Sequence, residues 1–274
     1  MANFIKINAL ERNNLFKKAK EKVSTYPHLS KELGVTRDMI FKYKRGDCLI
    51  PQITFDKLVK ISSFNPKKFD IIVMEKYLKK CINKPILDQN LAEVLGVLNG
   101  DGHLSKINHE VSVTGNLGDT NYFLYLKKKF EELFKMKFNI EKFNHYLKLR
   151  GYSKELIDFL TKEFELPKGR KMGKLGIPKE IFSDKNLLAN YFRGLFDTDG
   201  TFYIRRKKDP VVEISSGDHV YLEQIKGGLK FIDFEFGIRK KNVYLYKKED
   251  IKRFFEVIKP ANPKHLKKFN LYFN

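Results

Sequence analysis

Two short stretches hold the residues best placed to do chemistry, Asn-Gly-Asp-Gly at 99–102 and Asp-Thr-Asp-Gly at 197–200. Each sets an aspartate, Asp101 or Asp199, at the end of an apolar segment of helical period, and the two lie 98 residues apart. Asp-Gly alone is an ordinary turn, and glycine is the usual helix stop. Three features weigh against that plain reading. Gly96 and Gly100 are four apart, as are Gly194 and Thr198, which stacks small residues on one helix face and lets two backbones approach. Leu91, Val94, Leu95, Val97 and Leu98 flank the first motif, and Leu188, Phe192, Leu195 and Phe196 the second, so both helices read as buried. Each aspartate also sits where the helix dipole already disfavours negative charge.

Two such helices packed side by side bring both carboxylates to one end. At about 5 Å and an effective dielectric near 20 the repulsion is roughly 3 kcal/mol, or about two pKa units of proton uptake in the absence of a cation. Hard oxygen ligands suit Mg²⁺, with Mn²⁺ as an alternative, water and phosphate completing the shell. Two carboxylates and a divalent ion at a phosphate are the parts of metal-assisted phosphodiester hydrolysis.

The elements that must position them come in two copies. LAEVLGVLNGDGHL (91–104) matches LANYFRGLFDTDGTF (188–202). Downstream, 111–134 parallels 211–232 and 137–160 parallels 235–258, each as strand-like runs followed by an amphipathic helix. Each copy therefore reads α-β-β-α-β-β-α. A period near 100 residues is too long for a solenoid, and a duplicated half-domain with pseudo-two-fold symmetry is expected.

VLGVLNGDG (94–102) and FRGLFDTDG (192–200) resemble the two copies of the LAGLIDADG motif of monomeric homing endonucleases, and the resemblance covers about residues 88–274. It implies an α+β fold with an antiparallel saddle in the major groove of double-stranded DNA, through strands near 103–116, 137–150, 201–216 and 235–246. It implies catalysis by Asp101 and Asp199, with Gly100 and Thr198 joining them in the metal set. Gly96 and Gly194 are expected at the helix interface. Lys106, Asn116, Arg205 and Arg206, near or on the strands after each motif, are candidate basic or amide helpers. Asn99 stands where the family name shows an acid and is given no functional weight.

Residues 1–85 differ in character. They carry 19 Lys and Arg against 8 Asp and Glu, so +11 of the net +21 lies in under a third of the chain. HLSKELGVTRDMIFKYKRGD (28–47) reads as helix, turn, helix, with Gly34 in the turn, Thr36 as N-cap and Gly46 as C-cap. It resembles the small all-α helix-turn-helix domains of phage-repressor type, which implies that Arg37, Asp38, Lys42 and Lys44 face DNA. The expected boundary falls at 85/86, with repeats at about 88–184 and 185–274.

A net charge of +21 recruits a polyanion, most often nucleic acid. No apolar run approaches the roughly 20 residues of a spanning helix, the N-terminus lacks a signal-peptide pattern, and Cys48 and Cys81 are too few for a disulfide framework. A reduced, cytoplasmic monomer acting in intron homing is expected. Two other roles use the same scaffold, a DNA-binding transcription regulator and an intron maturase acting on structured intron RNA. Protein splicing is not expected, because the ends lack a terminal His-Asn pair and terminal nucleophiles.

Overall fold

Alternation of apolar and polar residues, and its change to a helical period, lays out both parts of the chain. The computed structural model describes residues 2–67, 69–74 and 82–273, which divide into units Met1–Lys80 and Cys81–Asn274.

The first unit runs β1 (Ala2–Ile7), α1 (Ala9–Val23), α2 (Tyr26–Leu33), α3 (Arg37–Arg45), β2 (Ile50–Pro51), α4 (Gln52–Ser62) and β3 (Phe69–Met74). Thr25 caps α2 by accepting the His28 N–H, and Thr36 caps α3 by accepting that of Met39. Gly34 (φ +69°) and Gly46 (φ +86°) end these helices in the left-handed region that glycine reaches without a Cβ penalty. Leu15, Phe16, Leu29, Ile40 and Leu58 fill the core. The expectation of an all-α domain is corrected here. β1 pairs antiparallel with both β2 and β3. Ile5 and Ile7 are buried around exposed Lys6, the period-two pattern of a half-buried strand.

The second unit holds the duplication. Its first half is α5 (Gln89–Asn99), β4 (Gly102–Leu104), β5 (Glu110–Asn116), α6 (Thr120–Phe134), β6 (Asn139–Lys142), β7 (Tyr146–Tyr152) and α7 (Lys154–Glu163), followed by a short α8 (Lys179–Phe182). Its second half is α9 (Lys185–Asp199), β8 (Gly200–Arg205), β9 (Asp209–Ser215), α10 (His219–Phe231), β10 (Gly237–Arg239), β11 (Asn242–Leu245) and α11 (Lys248–Ile258), followed by α12 (Pro263–Phe273). Each half builds a four-stranded antiparallel sheet, in the orders β4-β5-β7-β6 and β10-β11-β9-β8. This is the duplicated αββαββα fold expected from the sequence. Along β7, Leu147, Leu149 and Gly151 are buried, while Tyr146, Lys148, Arg150 and Tyr152 lie on the opposite, polar face.

Helices α5 and α9 form the centre. Asp88 caps α5 through the Leu91 N–H, and Asp184 caps α9 through those of Asn186 and Leu187. A Cβ on Gly96 would lie 2.0 Å from the Tyr191 carbonyl oxygen, and one on Gly194 would lie 2.0 Å from that of Glu93. The 98-residue offset maps each contact onto the other, which is the reciprocity a two-fold axis requires. Gly194→Ala therefore forces backbone apart in a close-packed core. We expect a loss of about 2–3 kcal/mol in denaturant-unfolding stability; an unchanged midpoint would show that the helices do not meet there.

Candidate active site

The close approach of α5 and α9 continues to their C-terminal ends. A Cβ on Gly100 would fall 2.0 Å from Thr198 Oγ1 and 3.5 Å from Asp199 Cγ. Asp101 follows Gly100 directly, so both aspartates leave the helix pair at the same end. Thr198 folds back on its own helix, donating its hydroxyl to the carbonyls of Gly194 and Leu195 (both 3.0 Å).

The electrostatics of the pair are those of under-compensated charge. Asp199 is pushed up to about 7, first by burial and next by the Asp101 carboxylate, while Lys171 and Lys264 pull it down. Asp101 is also raised by burial, with Lys171 and Lys264 opposing and Asp119 adding to the rise. No group of three or more His, Cys, Asp or Glu side chains gathers among the described residues. A metal here would thus have two carboxylates for protein ligands, with open positions left for water and phosphate. Two hard oxygen donors raised by burial, Asp199 also by the charge of Asp101, fit a divalent cation.

Lys171 comes from the segment between α7 and α8. Its ammonium donates to the carbonyls of Leu98 (2.9 Å), Asn99 (3.2 Å) and Gly100 (2.5 Å), closing the last turn of α5. Burial brings it down to about 8, against the pull of Asp199 and Asp101. Lys264, which opens α12, stands 3.6 Å from Asp119.

Both segments are tied to the motif helices by equivalent positions. Asn99 is 1% exposed, and its Nδ2 donates to Gly176 O (2.9 Å) and Tyr191 Oη (2.7 Å). Asp197, 98 residues on and fully buried, accepts the N–H groups of Ala261 (2.8 Å) and Asn262 (3.0 Å). Asn99, which carries no functional weight in the motif, anchors the chain that holds Lys171, as Asp197 anchors the chain that holds Lys264. Burial pushes Asp197 up to about 7 against those two N–H donors.

Residues 186–259 match a family model described as a LAGLIDADG-like domain. That match runs from α9 to α11, the second of the two repeats. Two curated proteins of Methanocaldococcus jannaschii align with it over part of their length. The replication factor C small subunit is 30% identical over 180 residues, covering 63% of this chain and 9% of that protein. The glutamine–fructose-6-phosphate aminotransferase (isomerizing) is 27% identical over 266 residues, covering 89% and 22%. The chain thus spans less than a quarter of either relative, and their names describe whole proteins of which it matches a segment.

Among solved structures, the homing endonuclease I-WcaI bound to its DNA recognition sequence aligns with a TM-score of 0.50 at 14% identity, over 67% of this chain and 87% of that one. The N-terminal LAGLIDADG domain of DUF199/WhiA aligns at 0.43 with 20% identity, over 66% and 87%. At 14% identity the likeness to I-WcaI is one of fold.

Within the duplicated fold the expected residues fall into three groups. Asp101, Asp199, Gly100 and Thr198 come together, and the carbonyl of Gly100, expected in the metal set, accepts a hydrogen bond from Lys171. Lys106, Arg205 and Arg206 lie at hairpin ends. Arg205 is five residues along β8 from Gly200, about 16 Å. Asn116 ends β5, two residues beyond Thr114, whose N–H donates to the Asp101 carbonyl (3.2 Å). Lys171 and Lys264, rather than these four, are the cations acting on the acids. No spacing rule points to them, although the run LPKGRKMGKLG (166–176) is basic and glycine-rich, unusual for a passive linker.

In the first unit, Lys42 pairs with Asp38 (2.7 Å) and Lys44 donates to Tyr26 Oη (3.2 Å). Arg37 stacks over Phe41. Among the described residues no helix is long and apolar enough to cross a membrane.

The raised carboxylates carry a sign that can be measured. Asp199 and Asp197 bind protons more tightly folded than unfolded, so their contribution to stability is present below about pH 4 and lost as pH rises toward 7. Without divalent ions, the melting temperature should fall between about pH 4.5 and 7.5, and Asp199→Asn should flatten that fall. A melting temperature that rises over this window in the wild type would contradict the buried, like-charged arrangement.

Proposed function

We propose that this chain is a site-specific double-strand DNA endonuclease that hydrolyses phosphodiesters with Mg²⁺, or Mn²⁺, held between Asp101 and Asp199. One observation carries the reading. Two aspartates, both raised in pKa, leave the touching ends of two helices related by the 98-residue repeat. Bound there, a divalent ion would supply an activated water and charge stabilisation at the pentacoordinate phosphate.

The protein's own groups do the rest. Asp101 and Asp199 present two oxygen ligands on rigid helix ends, with backbone contact fixing their separation. Lys171 is held by three carbonyls, so its charge is fixed beside both acids rather than free to swing. It limits their proton uptake and offers positive charge to a phosphate entering the site. Lys264 does the same from the second repeat, restrained by Asp119. The two sheets supply the surface that meets the duplex, and the fold is shared with an endonuclease described as bound to its recognition DNA.

Residues 1–85 add a second DNA contact through the α2–α3 pair. Residues 86–274 form the nuclease, with repeats at about 88–184 and 185–274, acting as a monomer because one chain holds both acids. The homing of a mobile intron is the role that joins a long recognition site to double-strand cleavage.

The test is direct. With Mg²⁺ the purified protein should cleave a substrate selected from a randomised plasmid library. Asp101→Asn and Asp199→Asn should each lower cleavage at least about a thousandfold, while binding measured by anisotropy stays within a few-fold. Lys171→Met should lower cleavage less, by about a hundredfold. Tight binding with no cleavage by the wild type would mark a regulator and overturn the nuclease assignment.

A further inference from the structure

The two halves of the DNA-facing surface are not equivalent in charge. In the first repeat the cations of the polar sheet face are already paired. Lys148 meets Glu110 at 2.6 Å. Arg150 forks onto both oxygens of Glu141, its Nε 2.6 Å from Oε1, and lies 3.7 Å from Glu110. Tyr152 adds its hydroxyl to Glu110 (3.1 Å), which is 6% exposed. Register explains the cluster, since Glu110, Glu141 and their partners stand on the adjacent strands β5, β6 and β7. Carboxylates on a face that meets phosphate oppose binding, so their place here is to neutralise and to hold.

The second repeat does the opposite. The β8–β9 hairpin runs through Arg205, Arg206, Lys207 and Lys208, and the β10–β11 hairpin through Arg239, Lys240 and Lys241, all exposed. Over the matching segments of the first repeat, 104–109 and 142–145, only Lys106 and Lys142 are cationic. Of the seven in the second repeat, Arg205 alone has a carboxylate partner among the described residues, Asp209 at 4.0 Å. Arg206, Lys207 and Lys240 also adopt positive φ (51°, 61° and 54°). Two-residue hairpin turns favour Asn and Gly at such positions. A turn selected for conformation alone would not place long cations there. The β8–β9 turn is fastened by Lys208 N–H to Arg205 O (3.2 Å) and by Tyr272 Oη to the Lys208 carbonyl (2.5 Å). The C-terminal helix α12 thus fixes where this cationic tip points.

We infer that the repeats divide the labour of DNA binding: the hairpin tips of the second repeat grip phosphates and supply the salt-dependent affinity, while the charge-compensated sheet of the first repeat reads bases with pre-oriented side chains. This rests on the DNA-binding reading above. Glu110 and Glu141 are then positioning residues, keeping Lys148 and Arg150 from spending their charge on any phosphate within reach.

The experiment measures affinity of the full-length chain for a random-sequence duplex of about 30 base pairs across a series of KCl concentrations. Replacing Arg206, Lys207, Lys240 and Lys241 by Gln should make the slope of log K against log salt shallower by about 3–4. Lys148→Gln with Arg150→Gln should change it by less than about 1. Glu141→Gln alone should steepen it by up to about 1, by releasing a cation. Glu141 lies on an edge strand and is partly exposed, so that variant keeps the test open if the Lys148/Arg150 pair fails to fold. Equal flattening by the two cation-removing variants, or an unchanged slope in Glu141→Gln, would overturn the division of labour. A wild type without any salt-dependent DNA affinity would overturn the DNA reading itself.

Discussion

Gly96 and Gly194 let two helices meet backbone against backbone, and the rest of the second unit is arranged around that contact. With either Cβ 2.0 Å from a carbonyl oxygen, no other residue type keeps the helices at this distance. Their closeness draws the C-terminal ends together, so Asp101 and Asp199 converge. The buried walls of α5 and α9, from Leu91 to Leu98 and from Leu188 to Phe196, hold the pair in place. Apolar burial provides the force, and the glycines convert it into a geometry that like charges resist. Lys171 and Lys264 only partly relieve that resistance. In the proposed nuclease, that residual resistance is what a divalent cation between the two acids would relieve.

The two-fold relation also shows where the halves were free to diverge. Asn99 and Asp197 occupy equivalent positions and do the same job with opposite hydrogen-bond polarity. One donates to a carbonyl, and the other accepts from two N–H groups. Glu93 and Tyr191 are equivalent too. Glu93, fully buried, gathers Tyr125 (2.6 Å), Lys129 (2.8 Å) and Arg193 (3.4 Å), which ties α5 to α6 and α9. Tyr191 instead links Asn99 to Tyr221 in an uncharged chain. Buried ion clusters add little net stability but strongly penalise a mismatched partner. The Glu93–Arg193 bridge therefore favours docking of the first repeat on the second over docking of either on a copy of itself.

Much of this is legible in the residues. Helical period, paired motifs and the 98-residue offset point to the duplicated αββαββα fold, because each is a local pattern repeated at one distance. Small residues four apart mark the helix faces that touch. Other features depend on long-range partners and leave no local trace. Lys171 reaches carbonyls 71 to 73 residues away, so its role lies in the fold and not in spacing. Asn99 looks like a departure from the motif because its hydrogen bonds run to Gly176 and Tyr191. The sheet of the first unit escapes a local reading for the same reason. β1 and β3 stand at opposite ends of that unit, and neither ANFIKI nor FDIIVM is persuasive as a strand without the other.

Joining the two halves in one chain is what permits the asymmetry of the surface. A symmetric dimer must place identical hairpin tips on both sides, so its halves cannot differ in charge. With separate codons for each repeat, Arg-Arg-Lys-Lys at 205–208 can stand where the first repeat has Ile-Asn-His-Glu at 107–110. What cannot diverge is the centre, where each glycine faces the other helix. The degree of symmetry thus falls with distance from the helix pair. It is near complete at Gly96 and Gly194, functional but chemically altered at Asn99 and Asp197, and absent at the hairpin tips. That gradient follows from packing, since a contact on the two-fold axis constrains both copies at once, whereas a solvent-facing turn constrains neither.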